Sequence, residues 1–122
     1  MIWRLRTRRR FADLAAHGRR IRRGPLSVTV RLAQHDPQRS DSDLGAPAEV
    51  GFALGRRLGT AVIRNQVRRR LRALILDVDR TVVPWPSGAY LFGCSPTAAT
   101  LSSAELRPYV EALAKAVSEG AR

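Results

Sequence analysis

This 122-residue chain has little cysteine, few acidic residues and no long apolar run, and each scarcity excludes a kind of structure or site. The single cysteine, Cys94, excludes an internal disulfide and any metal site built from several thiolates. No apolar run approaches the roughly 20 residues that a membrane-spanning helix needs, and the first arginines are not followed by the apolar stretch of a signal peptide. We therefore expect a cytoplasmic protein that does not contact a membrane.

Acidic residues are outnumbered, since 22 Lys and Arg against 10 Asp and Glu give a formal net charge of +12. All but one of these bases are arginine, whose planar guanidinium pairs with phosphate through two hydrogen bonds and stacks on bases. The excess lies in two segments, because residues 1–31 contain ten Arg and one Asp and residues 56–72 contain seven Arg and no acid. This distribution predicts a nucleic-acid-binding protein, and the length predicts one domain over residues 1–122.

The second basic segment also has the pattern of a helix. Gly55 and Gly59 flank a basic turn, and Thr60 is a suitable cap for the helix that follows. A solvated face usually mixes signs, and like charges four residues apart repel each other, so a polyanionic partner is the better interpretation of the arginines. Apolar residues recur at helical spacing and form a stripe for packing, namely Ile63, Val67, Leu71, Leu74, Ile75 and Val78.

Residues 59–72 resemble a known family, the protein subunit of bacterial ribonuclease P. The family hallmark is Gly-Asn-Ala-Val-x-Arg-Asn-Arg-x-Lys-Arg, followed after two further residues by another Arg. The chain departs from it at Thr60 and Gln66 and replaces the Lys by Arg68. The matching residues are Gly59, Ala61, Val62, Arg64, Asn65, Arg69 and Arg72. Near the start of the chain, Phe11 and Gly18 also match the family's first helix.

Two more helices are predicted, one near each end of the chain. The first covers residues 8–17. The last begins at a capping box, Ser102-x-x-Glu105, although Pro108 favours a start nearer to Arg107.

Three strands are predicted from apolar alternation and from short apolar runs between turn signals. The first two are expected to pair antiparallel through residues 35–47, a polar, turn-rich segment that is predicted as a flexible loop. The predicted strands are residues 25–33, 49–54 and 89–94. The resulting order of helix, strand, strand, helix, strand, helix predicts an α+β fold with a small sheet packed with three helices. The resemblance implies that this sheet is mixed. The resemblance implies one more strand, in the order αβββαβα, and a left-handed strand-helix-strand crossover.

The resemblance also implies a function divided between two surfaces. In the family, the RNA subunit carries the catalytic Mg²⁺ ions, and the protein assists in removing the 5′ leader from precursor tRNA. By analogy, a cleft between the first helix and the sheet, including Phe11 and Thr29, is expected to hold the single-stranded leader. Ala15 and Thr29 stand where the family commonly has aromatic residues. The residues expected to contact the RNA subunit are Arg56, Arg57, Arg64, Asn65, Arg68, Arg69 and Arg72.

The residues themselves predict no catalytic centre within the protein, because His17, His35, Asp77 and Asp79 form no recognisable nuclease arrangement. A structural RNA-binding protein of the ribosomal kind is the main alternative, since it would have the same electrostatics. No helix-turn-helix spacing or zinc ligands support a DNA partner, and none is expected.

Overall fold

The computed structural model describes residues 2–5, 8–36 and 46–120, without the side chains of Trp3 and residues 8–10. Within these ranges the chain forms an α+β fold with a five-stranded mixed sheet and three helices, so the predicted class is confirmed. The strands are β1 (Ile2–Arg4), β2 (Arg19–Arg23), β3 (Leu26–Leu32), β4 (Ala48–Phe52) and β5 (Gly88–Cys94). The helices are α1 (Arg8–His17), α2 (Ala61–Thr81) and α3 (Ser103–Gly120). Most of the predicted loop, residues 37–45, lies outside the described residues.

The strand order across the sheet is β1-β4-β5-β3-β2, in which β5 is central. β5 pairs antiparallel with β3 and parallel with β4, so the expected antiparallel pairing of β3 with β4 was wrong. The reason lies in β5, which buries Tyr90 and Phe92 on one face and Ala89 on the other and therefore belongs at the centre of the sheet. α2 connects the parallel neighbours β4 and β5, which is the crossover that the resemblance implies, while its left hand stays a prediction.

The two outermost strands were missed by the sequence prediction. β2 contains a single apolar residue, Ile21, among four exposed arginines, so it lacks the apolar alternation that identifies a strand. It is held as a hairpin with β3 by a tight turn in which Gly24 has a φ of 57°, a conformation that favours glycine. β1 has only three residues and pairs parallel with β4.

α2 and α3 pack against one face of the sheet and form the main core. The apolar stripe predicted for α2 is confirmed, since its residues from Val67 to Val78 are buried against the sheet. Trp85 closes the end of α2, because its indole Nε1–H donates to the carbonyl oxygen of Ile75 at 3.0 Å. Its ring packs edge-on against Tyr90 and Phe92. Burial raises the pKa of the Tyr90 hydroxyl well above its usual range, and this hydroxyl donates to the carbonyl of Pro86.

Both predicted helix caps are present. The backbone N–H of Ile63 donates to the Thr60 hydroxyl at 3.3 Å, and Ser102 and Glu105 form the two reciprocal bonds of a capping box at 3.1 and 3.2 Å. The hydrogen bonds from Ser102 also lower the pKa of Glu105. α3 consequently begins at Ser103, and the expectation that Pro108 would move its start was wrong. Pro108 removes one N–H from the second turn, but the capping box bonds the backbone N–H groups of Ser102 and Glu105 and so fixes the start of the helix.

α1 packs against the opposite face of the sheet and covers only part of it. Leu14 is buried there in a small cluster with Leu5 and Ala89. The Arg31 guanidinium, on β3, donates from Nη1 to both carboxylate oxygens of Asp13, at 2.7 and 2.8 Å. The side chains of this pair are only 13% and 27% exposed. The ion pair is therefore a substantial part of what holds α1 on the sheet.

Removal of this tether should destabilise the protein. We expect Asp13→Ala to lower the free energy of unfolding by about 1 kcal/mol, because a half-buried, charge-assisted hydrogen bond contributes about that much or more. Asp77→Ala is the matched control, since Asp77 is also helical and pairs with an arginine, Arg107, but that pair is more exposed, at 38% and 36%. Its loss should be smaller. Urea denaturation, monitored by circular dichroism, measures the free energy of unfolding of both variants. Equal losses of stability would contradict the role of the Asp13–Arg31 pair as a tether.

Candidate nucleic-acid interface

The N-terminal part of α2 and the turn before it carry the seven residues predicted to contact RNA. We call these residues the arginine face, and they are Arg56, Arg57, Arg64, Asn65, Arg68, Arg69 and Arg72. The structure brings all of them together on one helix and its preceding turn. Arg64 and Arg68 are half-buried and the other five are exposed, so most of the face is open to a partner.

The basic turn before α2, Arg56–Leu58, is held in a fixed position relative to the helix. Arg56 and Arg57 lie in a 3₁₀ turn whose third residue, Leu58, is buried in the core. Gly59 then has a φ of 143°, and a Cβ at this position would lie 3.0 Å from the Ile63 side chain. Only glycine fits this close approach without strain. The two arginines of the turn are therefore held beside those of the helix.

The charge on the arginine face is not compensated within the described part of the chain. None of its six arginines forms a salt bridge with a described carboxylate, and the first turn of α2 contains no acid. The positive end of the α2 dipole lies near Arg56, Arg57 and Arg64, which adds to the repulsion between them. Arg68 instead donates from Nη1 to the Asn65 amide oxygen at 2.6 Å, which holds its guanidinium in position. This arrangement is suited to an extended anionic partner.

Arg70 lies in the same run of arginines but has a different environment. It is half-buried, and its Nη1 donates to the carbonyl oxygen of Leu101 at 3.0 Å. This bond connects α2 to the segment that precedes α3. Arg70 is therefore a structural residue within a basic sequence.

The face of the sheet that carries α1 is partly open along two rows of paired residues, although Phe11 covers Gly51 at the end of the first row. Strand pairing places Arg20, Thr29, Leu91 and Gly51 in one row across the sheet. The neighbouring row contains Arg22, Ser27 and Gly93. We call this open floor the cleft. Part of it forms a cavity of about 360 Å³ between the two arginines of β2 and the middle strands.

The structure places Phe11 and Thr29, the two residues predicted for the cleft, on this face but not in contact. The Phe11 ring lies over Gly51, where an added Cβ would be 3.1 Å from the ring, and is half-buried. Thr29 is two strands away from Gly51, which is roughly 10 Å at the usual strand spacing. Thr29 lines the 360 Å³ cavity, whereas Phe11 lines a larger one of about 780 Å³ at the sheet edge.

The larger cavity connects the two predicted surfaces. Besides Phe11 and Gly51, it is lined by Arg68 and Arg72 from the arginine face. The sequence motifs gave no indication of this proximity, because the first helix and α2 are far apart in the chain and pack against opposite sides of the sheet. An anion held in this cavity by these two arginines would therefore share it with the Phe11 ring.

The acidic residues considered as catalytic candidates have structural roles. Asp77 accepts a hydrogen bond from Arg107, and Asp79 accepts one from the backbone N–H of Trp85 at 2.9 Å. His17 and His35 are exposed and line a third cavity, at the far end of β3. Among the described residues, no three His, Cys, Asp or Glu side chains are grouped as a metal site would require. No described helix has the length and apolar character needed to cross a membrane.

Arg20 and Arg22 are cleft residues that the sequence analysis did not identify. Their alternation with Ile21, just before a Gly-Pro turn, is the signal that could have placed them on one face of a strand. With so few apolar residues, that signal is weak.

Comparison with known proteins gives a consistent result. A family model described as Ribonuclease P matches residues 2–118. The ribonuclease P protein component of Streptomyces avermitilis is 34% identical over 120 residues, covering 98% of this chain and 95% of the relative. That of Kocuria rhizophila is 39% identical over 116 residues, covering 93% and 91%. The solved RNase P protein from Thermotoga maritima is similar in fold, with a TM-score of 0.72 at 20% identity, covering 93% of this chain and 96% of that one.

The contrast between neighbouring arginines of α2 gives a test. We expect Arg69→Ala to weaken RNA binding while changing the free energy of unfolding by less than about 0.5 kcal/mol, because Arg69 is exposed. Arg70→Ala should lower stability by about 1–2 kcal/mol through the lost bond to Leu101 and should weaken RNA binding less. Filter binding and thermal melting of both variants measure the two effects. A larger loss of stability in Arg69→Ala than in Arg70→Ala, or a larger loss of RNA binding in Arg70→Ala than in Arg69→Ala, would contradict this division.

Proposed function

This chain belongs to the ribonuclease P protein family, and on that premise we propose how its surfaces contribute to the holoenzyme. It is the protein subunit of a ribonucleoprotein whose other subunit is RNA. A ribosomal-protein-like structural role has the same electrostatics but is not supported by the family match.

The arginine face is proposed to bind the RNA subunit. The observation that carries this assignment is the absence of described acidic partners for six arginines on α2 and the turn before it. Phosphates would neutralise these charges, and release of condensed counterions from the RNA would drive association. Gln66, which replaces an arginine of the family hallmark, is exposed on the same helix and can contribute only an uncharged contact.

The cleft is proposed to bind the leader of precursor tRNA. Phe11 offers a half-exposed aromatic ring on which a base can stack, and the 780 Å³ cavity beside it is shared with Arg68 and Arg72. A leader nucleotide on Phe11 would therefore lie close to RNA held by the arginine face. This proximity supports a role for the protein in bringing substrate and RNA subunit together.

Catalysis and the Mg²⁺ ions that support it are assigned to the RNA subunit, as the family resemblance implies. The protein would act by reducing the repulsion between two polyanions, which otherwise requires high concentrations of cations. It would work in the cytoplasm, where we propose that it meets precursor tRNA.

Cleavage of precursor tRNA tests the function directly. At low magnesium, we expect the RNA subunit to cleave efficiently only when the protein is added, because the arginines replace part of the counterion requirement. The protein alone should not cleave. Cleavage by protein purified free of nuclease and RNA would contradict the assignment of catalysis, and no stimulation of the RNA subunit would contradict the function itself.

A substitution at Phe11 can distinguish an effect on leader binding from an effect on folding. Phe11→Leu keeps an apolar side chain over Gly51 but removes the aromatic face, so stability should change by less than about 1.5 kcal/mol. If one base stacks on the ring, the holoenzyme should lose about 1–3 kcal/mol of affinity for precursor tRNA and none for mature tRNA. Equilibrium binding of both tRNAs measures this difference, and an equal loss for both would contradict the leader assignment.

A further inference from the structure

β2 is an edge strand whose four arginines are divided between the two faces of the sheet. Ile21 is buried in the main core, so its neighbours Arg20 and Arg22 project from the opposite face, where the cleft lies. The strand pairing agrees, since these two arginines are opposite Thr29 and Ser27 of the cleft floor. Arg19 and Arg23 therefore project from the face that carries α3.

The 360 Å³ cavity beside Arg20 and Arg22 has a consistent chemistry. Its described lining includes these two arginines and no acidic residue. Ser27 and Thr29 add hydroxyl groups, and Gly93 adds backbone without a side chain. None of the described lining residues is aromatic, so this part of the cleft has no ring comparable to that of Phe11 on which a base could stack. Beside the apolar side chains of Leu26, Ala53 and Leu91, it offers charge and hydrogen-bond donors, which are the groups that bind a phosphate backbone.

The two arginines are also suitably spaced for neighbouring phosphates. Residues i and i+2 of a strand are roughly 6.6 Å apart, which is similar to the phosphate spacing of an extended single strand. Both guanidinium groups are on exposed residues, and neither forms a salt bridge with a described carboxylate. Arg23, by contrast, donates to the carbonyl oxygen of Arg22 at 2.8 Å, along the edge of the strand.

We propose that Arg20 and Arg22 bind the phosphates of the leader segment upstream of the nucleotide at Phe11, so that the leader crosses the sheet from β4 to β2. The proposal rests on the proposed function, in which the leader occupies the cleft. The path crosses three strand spacings, about 14 Å, so only a leader long enough to reach β2 gains the contact. Because the contacts are to phosphate, they are insensitive to base sequence.

Two double variants on the same strand test the proposal. Arg20→Ala with Arg22→Ala removes the charges facing the cleft, whereas Arg19→Ala with Arg23→Ala removes the same number from the other face. Each is assembled with the RNA subunit, and its affinity is measured for precursor tRNAs with long leaders, with leaders of one or two nucleotides, and with altered long-leader sequences. Circular dichroism melting checks that both variants fold.

We expect the cleft-facing pair to lose about tenfold or more in affinity for long leaders, irrespective of leader sequence, and almost none for short ones. Its salt dependence on long leaders should become shallower by about 1.4 in log–log slope, since each phosphate contact on a single strand contributes about 0.7. The opposite-face pair should retain the preference for long leaders.

An equal loss of long-leader affinity in the two variants would overturn the proposal, because it would indicate an effect of overall charge and not of contacts made by Arg20 and Arg22. Unchanged long-leader binding by the cleft-facing pair would also overturn it. If precursor still binds better than mature tRNA in a Phe11-dependent way, only this inference has failed. If the wild-type holoenzyme shows no preference for precursor over mature tRNA, the proposed function has failed instead.

Discussion

Packing of α2 and α3 against a single face of the sheet is the interaction on which the rest of the structure depends. It buries the aromatic centre around Tyr90 and Phe92 and fixes the direction in which every strand residue points. The other face is left to α1, a helix of ten residues that covers only one end of it. A chain of this size thus has a core on one side and an open floor on the other, and the open floor is available for binding.

Electrostatics give the fold a second constraint. The arginine face, the positive end of α2 and the arginines of β2 have few anionic partners within the described residues, so the free protein retains their mutual repulsion. Side chains with structural partners, such as Arg31, Arg70 and Arg107, are distinguished by hydrogen bonds to carboxylates or carbonyls. The basic residues therefore fall into two groups. One group stabilises the fold, and the charges of the other would be neutralised only by a polyanionic partner.

The sequence was sufficient to predict those elements whose pattern is contained within a few neighbouring residues. α2 with its Thr60 cap, the capping box of α3 and strand β3 each follow from spacing within a few residues, and the structure contains all of them. The strand partners could not be obtained in this way, since β5 enters between β3 and β4 from a distant part of the chain. β2 was hidden because its charges face solvent and only Ile21 marks the core side.

The candidate site shows the same limit. The residues of the arginine face are close together in the chain, on one helix and the turn before it, so a short stretch of sequence is enough to locate them. The cavity that Phe11 shares with Arg68 and Arg72, and the position of Arg20 beside Thr29, depend on tertiary packing and pairing across the sheet. Periodicity within one segment contains no information about either.

The central position of β5 has a consequence for the order of folding. β1 with β4, and β2 with β3, can form only separate pairs until residues 88–94 are available to join them. Pairings as distant as Leu26 with Cys94 are intrinsically slow, because the intervening chain must first be closed into a loop. During synthesis both arginine-rich segments are made before β5, so the emerging chain is a polycation without its sheet. The complete sheet can therefore form only after β5 has been synthesised, not progressively from the first strand onward.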